Sequence, residues 1–525
     1  MQAAQSLIAL LLAVSVIAAL AKRIALPYPI LLVVGGVLLG FAPFAPSQRL
    51  DPDLILLLFL PPLLYSDAFH TSWIDFRRWL RPIVMLSTGL VAATTLAVGA
   101  VARHFAPELP WSVALLFGAV VSPTDTVAAQ AILERIRMPR RFTAILGGES
   151  LVNDATGLVG FQMATLVALS GVFDAGEVAT AFAWVALAGI AVGLAVGWLA
   201  AHANRIVHDT QVLFALSILA PYVAYVICTH LGVSGVLAVV TAGFYVSWRI
   251  HEIPADSRFQ LYTVWELAVF LLNGFCFVLI GLELPRLREG LERYDAGFLA
   301  AFGIATSLAV ILARLVWVYP GAYLPRWLSR SIREREPRPR LRDVLVVGWC
   351  GMRGVVSLAA ALSIPLTLPD GAPFPGRDLV IFGVLCVICA TLLLQGLTLE
   401  PLIRALGIRT AALSDDEERA ARVELVKTAL AHLGELRASS RCEASEIERV
   451  EAAQRARLVQ LEGQSELREQ LRADFDGAHQ RRAQLSLLGA QRRKLLELRD
   501  REVINDLTQL RLQTELDLEE MRLTR

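Results

Sequence analysis

Residues 111–154 read WSVALLFGAVVSPTDTVAAQAILERIRMPRRFTAILGGESLVND. Two apolar runs follow each other in this stretch, and both contain polar residues at positions where an apolar helix would not be expected to have them. In the first run, the segment SPTDT (Ser122–Thr126) contains Pro123, which removes a backbone hydrogen-bond donor. Its hydroxyl and carboxylate groups can bind the backbone groups that are freed. The first run therefore predicts a helix that is interrupted near its middle.

The second run contains GGESLVND, in which four polar residues share one helical face. Glu149 and Asn153 are four residues apart, as are Ser150 and Asp154, so all four side chains project in similar directions from a helix. An ionisable group at bilayer depth costs about 2.5–3.5 kcal/mol on insertion scales, and it is therefore either functional or paired. This face is the first candidate for a functional site.

The rest of the chain has the composition of a membrane protein with a soluble tail. The 525 residues are 55% hydrophobic and only 18% charged, which is far from the norm for soluble globular domains. The charged residues are segregated, because 43 of the 97 lie in the last 115 residues, from Ala411 onward. We predict a transmembrane domain at residues 1–408 and a helical regulatory or interaction tail at residues 409–525, whose apolar residues recur at helical spacing.

Hydropathy predicts about thirteen spanning helices, since each needs about 20 mostly apolar residues. The first lies at residues 4–21 and is interpreted as a retained span. Lys and Arg are concentrated in alternate connections, as the positive-inside rule requires of cytoplasmic loops. The pattern predicts a multi-pass protein of the plasma (inner) membrane, with its N-terminus outside and its tail in the cytoplasm. The formal net charge of +1 gives no support for a nucleic-acid partner.

A second interrupted helix is predicted in the twelfth segment, residues 343–368. It contains WCGMRGVVSLAAALSIP, in which Arg353 stands between Gly351 and Gly354. Broken helices at corresponding positions of two inverted halves mark the binding site of secondary transporters, because unwound backbone persists only where it lines a cavity or is buried in protein. The predicted fold is all-α and polytopic, with two inverted repeats and two broken crossing helices.

The chemistry of these segments suits a small, hard cation. Asp125, Asp154, a hydroxyl and freed carbonyls form an oxygen-rich set that suits Na⁺ and offers no soft ligand for a transition metal. Two desolvated carboxylates close together also favour the protonated form, so a proton can compete with the cation. If Glu149 is neutralised by Arg353, one Na⁺ and one H⁺ change the charge of the site equally. Exchange would then be electroneutral, at one to one.

Several stretches resemble the signature segments of a known family. SPTDTVAAQAIL, GGESLVNDATGLVGF, FLLNGFCFVLIGLEL and GMRGVVSLAAAL are similar to those of monovalent cation:proton antiporter family one, the sodium/proton antiporters of the bacterial NhaP and animal NHE kind. FLPPLLYSDAF resembles another such segment, although Asp67 occupies a position where Glu is more often expected. The resemblance covers the chain to about residue 406, and the tail resembles no family.

The resemblance implies roles for particular residues. Asp125 and Asp154 would bind the ion, assisted by Ser150 and the carbonyl of Thr124. Glu149 and Arg353 would form an ion pair between the sixth and twelfth helices, with Asn153 in the same network. The resemblance also implies a homodimer, an elevator-like movement and, from the Asn153-Asp154 order, electroneutral exchange. Apart from the resemblance, Arg314 and Asn273 are polar residues inside predicted apolar spans, and they are candidates for supporting positions around the site, as is Asp67.

Two alternatives to sodium/proton exchange stay open. Potassium/proton exchange could use the same oxygen ligands, because selectivity depends on the size of the cavity. A transporter-like sensor could signal through the tail, and antiport by a tail-truncated chain would argue against it. We do not expect an enzyme, because Ser150 has Glu149 beside it but no nearby histidine to complete a triad. No cofactor is expected besides the transported ions; membrane lipid is the expected partner, and any tail partner is unknown.

Overall fold

The structure is a computed structural model of the chain. It describes the residues 14–17, 28–41, 52–136, 138–170, 175–207, 209–253, 255–335, 338–408, 413–438, 444–461 and 478–524. The span predicted at residues 4–21 lies mostly outside this set. Within the described ranges the protein is all-helical, as predicted, and the only extended pairing is an isolated bridge between Thr367 and Pro373.

The chain divides into two compact units. The first, here called the membrane unit, falls within Met1–Thr71, Trp79–Arg249 and Thr263–Thr410. The second, here called the tail unit, comprises Ala411–Arg525 together with two segments from the first half of the chain, Ser72–Arg78 and Ile250–Tyr262. The tail therefore folds with two short segments that lie far from it in sequence.

The helices up to the start of the tail are numbered in chain order. They are α1 (Tyr28–Gly40), α2 (Pro52–His70), α3 (Trp73–Arg78), α4 (Leu80–Val84), α5 (Leu90–Phe105), α6 (Trp111–Val121), α7 (Val127–Arg135), α8 (Arg140–Ser170), α9 (Ala175–Ile206), α10 (Thr210–Leu231), α11 (Gly235–Trp248), α12 (Ala255–Arg286), α13 (Arg288–Leu291), α14 (Ala296–Leu328), α15 (Arg330–Arg335), α16 (Leu341–Trp349), α17 (Val355–Leu362), α18 (Arg377–Ala390) and α19 (Gly396–Ala405). Two π-helical turns interrupt the series, Met85–Gly89 between α4 and α5 and Thr391–Gln395 between α18 and α19.

Six of the described helical stretches are long and apolar enough to cross a membrane. They are Leu80–Phe105, Ala183–Ile206, Thr210–Leu231, Gln260–Leu279, Ala296–Leu328 and Arg377–Ala405. Shorter apolar helices, among them Leu56–His70 and Trp111–Val121, accompany them. A helix needs about 20 residues to span the hydrocarbon core, so these lengths fit a multi-pass membrane protein. The full number of thirteen spans stays a prediction.

The membrane unit contains two groups of mutually packed helices. In the first group, α2, α9, α10 and α11 pack together. The helix α12 joins it through Trp265, whose ring packs at a tilt against Tyr65 of α2 and whose ring N–H donates to Ser217 of α10 at 2.9 Å. The second group contains α5, α6, α8, α14, α16, α17 and α18. The two groups meet where α2 contacts α8 and α17, and where α11 contacts α8.

Both predicted helix interruptions are confirmed. The helix α6 ends at Val121 and α7 begins at Val127, so the SPTDT segment is non-helical. The helix α16 ends at Trp349 and α17 begins at Val355, which leaves Cys350–Gly354 unwound. The two breaks are joined directly, because the backbone N–H of Asp125 donates to the carbonyl of Met352 at 2.8 Å. The broken helices therefore cross at their unwound segments.

The tail unit has an apolar core of its own. Its helices are α20 (Leu413–Ala438), α21 (Ala444–Leu461), α22 (Ala478–Asp500) and α23 (Asp506–Thr524). One cluster of buried side chains joins α20, α22 and α23, and it includes Leu425, Leu495 and Leu512. A second cluster, which includes Leu433 and Ile447, joins α20, α21 and α22. Burying a leucine side chain contributes about 1.5–3 kcal/mol, so these clusters account for a compact helical unit despite its high charge.

Candidate functional site

Asp125 lies in the first helix break, facing the second one. Its backbone N–H is held by Met352, and its carboxylate oxygen Oδ2 accepts from the backbone N–H of Val355 at 3.4 Å. Val355 is the first residue of α17, and the N-terminus of a helix carries unpaired N–H groups and a partial positive charge that favours an anion. The crossing therefore supplies the Asp125 carboxylate with a favourable electrostatic environment inside the protein.

The close approach of Asp125 to α17 requires a glycine at position 354. A Cβ atom added to Gly354 would lie 1.7 Å from Oδ2 of Asp125, a distance at which one of the two groups must move. Because glycine has no side chain, the carboxylate can lie directly over the backbone at the start of α17. The glycine predicted from the GMRG sequence thus has a defined steric role.

Thr124 connects the first break to the polar face of α8. Its hydroxyl donates to Oε1 of Glu149 at 3.1 Å and accepts from Nδ2 of Asn153 at 2.8 Å. Its carbonyl, freed by the break, accepts from the hydroxyl of Ser150 at 2.9 Å. All four residues are buried. The polar face predicted for GGESLVND therefore meets the SPTDT segment, and the structure brings together Thr124, Glu149, Ser150 and Asn153.

Asp154 completes the polar face of α8. Its side chain is only 4% exposed, and within the described residues its carboxylate has no protein hydrogen-bond partner. Its helix meets the segment that carries Asp125, because Ser150 of α8 donates to the carbonyl of Thr124. A buried carboxylate normally has a charged or hydrogen-bonding partner, because burying an isolated charge is costly. Asp154 thus has its ligand oxygens available and has acidic neighbours, as a site for a cation or a proton requires.

Asp67 lies near the C-terminal end of α2, a helix that contacts both α8 and α17. The helix α2 belongs to the first helix group, whereas α6 and α8, which lead to Asp125 and carry Asp154, belong to the second. The three acidic residues therefore lie on elements that meet between the two groups.

The expected ion pair between Glu149 and Arg353 is not formed, and Glu149 pairs with Arg314 instead. Two nitrogens of the Arg314 guanidinium bind the two carboxylate oxygens of Glu149, with Nη2 at 2.9 Å from Oε2 and Nη1 in contact with Oε1. Both side chains are completely buried. Arg314 also donates to the carbonyl of Val347 at the end of α16. Its side chain passes over Gly351, where an added Cβ would lie 2.2 Å from Cδ of Arg314.

Arg353 binds backbone carbonyls of the two breaks. Its Nε donates to the carbonyl of Val121 at 3.0 Å, and its Nη1 donates to the carbonyl of Gly351. Its backbone N–H donates to the hydroxyl of Thr391 in the second π-helical turn at 3.1 Å. These acceptors are carbonyls that lost their helical partners when α6 and α16 ended, which explains why the guanidinium points to them and not to Glu149. Arg353 therefore connects the two crossing helices.

Asn273 and Arg314 were equal candidates for supporting positions around the site, but in the structure they have different contacts. Arg314 binds Glu149 directly, whereas Asn273 is buried in α12 and forms no side-chain hydrogen bond that the described residues show. The signal for Arg314 was a lone arginine in a long apolar helix. Thr391 was missed, because threonines in apolar helices usually bind the preceding turn, as Thr391 also does through Val387.

Comparison with known proteins identifies a family and relatives to which this chain is similar. The family model described as "Sodium/hydrogen exchanger, transmembrane" matches residues 9–405. A protein of Mycobacterium tuberculosis named an uncharacterized Na(+)/H(+) exchanger is 35% identical over 524 residues, which cover 98% of this chain and 95% of that protein. A Bacillus pumilus protein named "Sodium, potassium, lithium and rubidium/H(+) antiporter" is 31% identical over 421 residues, covering 78% of this chain and 62% of the relative.

A solved structure has the same fold. The sodium proton antiporter MjNhaP1 from Methanocaldococcus jannaschii, determined at pH 8, aligns with a TM-score of 0.60 and 23% sequence identity. The alignment covers 77% of this chain and 99% of that protein. At this level of identity the match shows the fold alone.

Proposed function

This chain belongs to the sodium/hydrogen exchanger family, a family of membrane transporters, and from that premise we propose that it exchanges Na⁺ for H⁺ at one carboxylate site. The observation that carries the proposal is the buried carboxylate of Asp154, which has no hydrogen-bond partner among the described residues and lies on the helix that meets the segment carrying Asp125. Asp125 and Asp154 would be the ion ligands, assisted by Ser150 and the carbonyl of Thr124. The ligand set consists of hard oxygens, which suits an alkali cation.

The charges around the site support competition between the cation and the proton. Glu149 is neutralised by Arg314, which leaves the carboxylates of Asp67, Asp125 and Asp154 as the acidic groups of the site. Carboxylates near one another repel, so binding of either one Na⁺ or one H⁺ lowers the energy of the cluster. Because each ion changes the charge by one, exchange of one Na⁺ for one H⁺ is electroneutral.

The position of the site between two helix groups supports alternating access. Asp67 belongs to the first group, and the proposed ligands belong to elements of the second group. A shift of the second group against the first would carry Asp125 and Asp154 along with the bound ion and expose them to one side of the membrane at a time. An elevator-like movement of this kind, in a homodimer, is the mechanism that we propose.

Potassium/proton exchange is the second candidate. The Bacillus pumilus relative is named for sodium, potassium, lithium and rubidium, so its name covers cations of several sizes. Carboxylate, hydroxyl and carbonyl oxygens accept either ion. The orientation that we propose places the tail in the cytoplasm and the N-terminus outside the plasma (inner) membrane, with lipid as the surrounding partner and no cofactor besides the transported ions.

Proton flux in sealed vesicles tests the proposal. The purified protein is reconstituted in vesicles containing a fluorescent pH dye, and Na⁺, Li⁺ or K⁺ is added outside. We expect Na⁺ to dissipate the pH gradient in the wild type, and Asp154→Asn to abolish that flux. Asp370→Asn is the matched control, because Asp370 is exposed and its carboxylate binds only the nearby N–H of Ala372. Its flux should equal that of the wild type.

The same vesicles test the stoichiometry. An imposed membrane potential should leave the initial rate unchanged if the exchange is electroneutral, and a rate that follows the potential would reject one-to-one exchange. A response to K⁺ equal to or larger than that to Na⁺ would favour the second candidate. Wild-type flux that survives in Asp154→Asn would refute the site.

A further inference from the structure

Gln395 is a buried polar residue that the proposed ion site does not use. It is the last residue of the second π-helical turn, and its side chain is completely buried. Among the described residues, neither its carbonyl oxygen Oε1 nor its amide nitrogen Nε2 has a hydrogen-bond partner. Burying an amide without hydrogen bonds is costly, so a buried glutamine normally has a partner. Gln395 therefore calls for a ligand on both ends of its amide.

The helix face that carries Gln395 lies against the second helix break. Thr391 precedes Gln395 by four residues, and its hydroxyl accepts from the backbone N–H of Arg353 at 3.1 Å. Thr398 follows by three residues, and its hydroxyl accepts from the ring N–H of Trp349 at 2.9 Å. Residues three or four positions apart share one face of a helix. Gln395 therefore lies on the face that contacts the break.

Space for a small molecule lies beside Gln395. The next residue, Gly396, is buried, yet a Cβ atom added there would meet only one atom of the described residues outside its own helix within 4 Å, the sulfur of Met352 at 3.9 Å. At Gly351 and Gly354 in the break itself, an added Cβ would lie 2.2 and 1.7 Å from a side-chain atom. The surroundings of Gly396 are thus looser than those of the break, and a gap beside an unpaired amide suits an internal water.

Water is the ligand that satisfies both ends of the amide. Oε1 of Gln395 can only accept hydrogen bonds, whereas Nε2 can only donate them. A cation would bind Oε1 alone, and Arg353 already brings a positive charge to the break. An anion would bind Nε2 alone. Water both donates and accepts, and a buried water makes about three hydrogen bonds to polar groups that have no other partner.

We propose that Gln395 binds a buried water molecule that hydrates the second helix break. The water bridges the carboxamide to backbone groups of Cys350–Gly354, which have lost the partners that a continuous helix would give them. Backbone at membrane depth stays unwound only where it is buried in protein or meets water, so this water helps to keep α16 and α17 separate. The inference goes beyond the proposed function, because the site holds no transported ion.

Radiolytic labelling of the purified protein detects such a water. In a short X-ray pulse, hydroxyl radicals form from internal as well as bulk water and oxidise the nearest reactive side chains. Met352 is completely buried, its sulfur lies close to Gly396, and methionine is oxidised to its sulfoxide. We expect sulfoxide at Met352 in the wild type, measured by mass spectrometry, and a severalfold lower yield in Gln395→Leu. Equal yields in the two proteins overturn the proposal.

The sign of a stability change gives a second test. Leucine is an apolar side chain of about the size of glutamine, so Gln395→Leu would raise the melting temperature if it merely removed an unpaired amide. With a bound water, the variant breaks the hydrogen bonds of that water and leaves backbone groups of the break unpaired. We therefore expect the melting temperature in detergent micelles to fall by a few degrees. A rise overturns the proposal.

Leu394→Ile is the matched control for both measurements. Leu394 belongs to the same π-helical turn, but its side chain is 50% exposed. The substitution keeps the volume and the apolar character of the side chain, so the melting temperature and the labelling of Met352 should match the wild type. A loss of labelling in this control as large as that in Gln395→Leu would show that labelling does not depend on the amide, and would overturn the proposal.

Gly396→Ala tests the gap itself. The added methyl group occupies the space beside Gln395, so we expect it to displace the water and to lower the labelling of Met352 to the level found in Gln395→Leu. Wild-type labelling in Gly396→Ala overturns the proposal. None of these measurements uses transport. A wild type that exchanges no cation refutes the proposed function and leaves these results standing, and loss of the water site leaves the exchanger intact.

Discussion

The membrane unit buries the pair of Glu149 and Arg314, and the tail unit buries the pair of Arg258 and Asp517. In the first pair both side chains are fully buried, and the other hydrogen-bond partner of Glu149 is the neutral hydroxyl of Thr124. In the second pair the carboxylate has another arginine, Arg492, bound to its second oxygen. Loss of the first arginine therefore leaves a buried charge without a cation bound to it, whereas loss of the second does not. The two buried pairs therefore differ in what the loss of their arginine leaves behind.

Among the variants that test this comparison, Arg314→Met is expected to change the free energy of unfolding most. Removing one partner of a buried ion pair costs about 3–5 kcal/mol, because the remaining charge stays buried without compensation. The free energy of unfolding, measured by denaturant titration in detergent micelles, should fall by that amount, and transport should be lost with it. Arg258→Gln should cost much less in the same measurement.

A double variant sharpens the result. Glu149→Leu combined with Arg314→Met removes both charges, so part of the lost stability should return. A double variant no more stable than Arg314→Met alone would mean that the stranded charge is not the cause. Equal losses for Arg314→Met and Arg258→Gln would remove the distinction between the two pairs.

A smaller effect is expected from Gly354→Ala at the helix crossing. The added Cβ would lie 1.7 Å from Oδ2 of Asp125, so the carboxylate or the start of α17 must shift. Overpacking of this kind costs about 1–3 kcal/mol. We expect cation-driven flux in vesicles to be severely reduced, because a ligand carboxylate is displaced. Flux equal to the wild type would show that Asp125 does not need its present position.

The smallest effect, with the opposite sign, is expected from Gly434→Ala in the tail. Gly434 lies inside α20, and an added Cβ there would meet no atom within 4 Å. Replacing a glycine by alanine in a helix interior stabilises it by about 0.5–1 kcal/mol. The unfolding free energy should rise slightly and flux should stay unchanged. Destabilisation at this position would contradict the open surroundings of Gly434 and weaken the contrast with Gly354.

Local sequence signals were enough to predict the two breaks and the polar face of α8. Pro123 and the glycines around Arg353 act on their own backbone, and the spacing of Glu149, Ser150, Asn153 and Asp154 is a property of one helix. Such features depend on residues at most a few positions apart. The meeting of SPTDT with GGESLVND is a tertiary contact, and the family resemblance implied it through the roles of Asp125 and Asp154.

The predicted partner of Glu149 was wrong. Arg353 was expected to form the pair, and Arg314 was only a candidate for a supporting position. The choice between them depends on the direction of long side chains and on which carbonyls the breaks leave free. Arg353 is drawn to Val121 and Gly351, while Gly351 gives Arg314 room to reach Glu149. The sequence also did not predict that Ser72–Arg78 belongs to the tail unit, because Asp506, the partner of Ser72, is 434 residues away.

The ion pair between Arg258 and Asp517 also orders events during protein synthesis. The ribosome must add 259 residues after Arg258 before its partner exists. At about 5–20 residues per second, that delay is roughly 13–50 s. The segments around Arg258 and Ser72 emerge long before the chain that covers them, so the tail unit can be completed only after α23 has been synthesised.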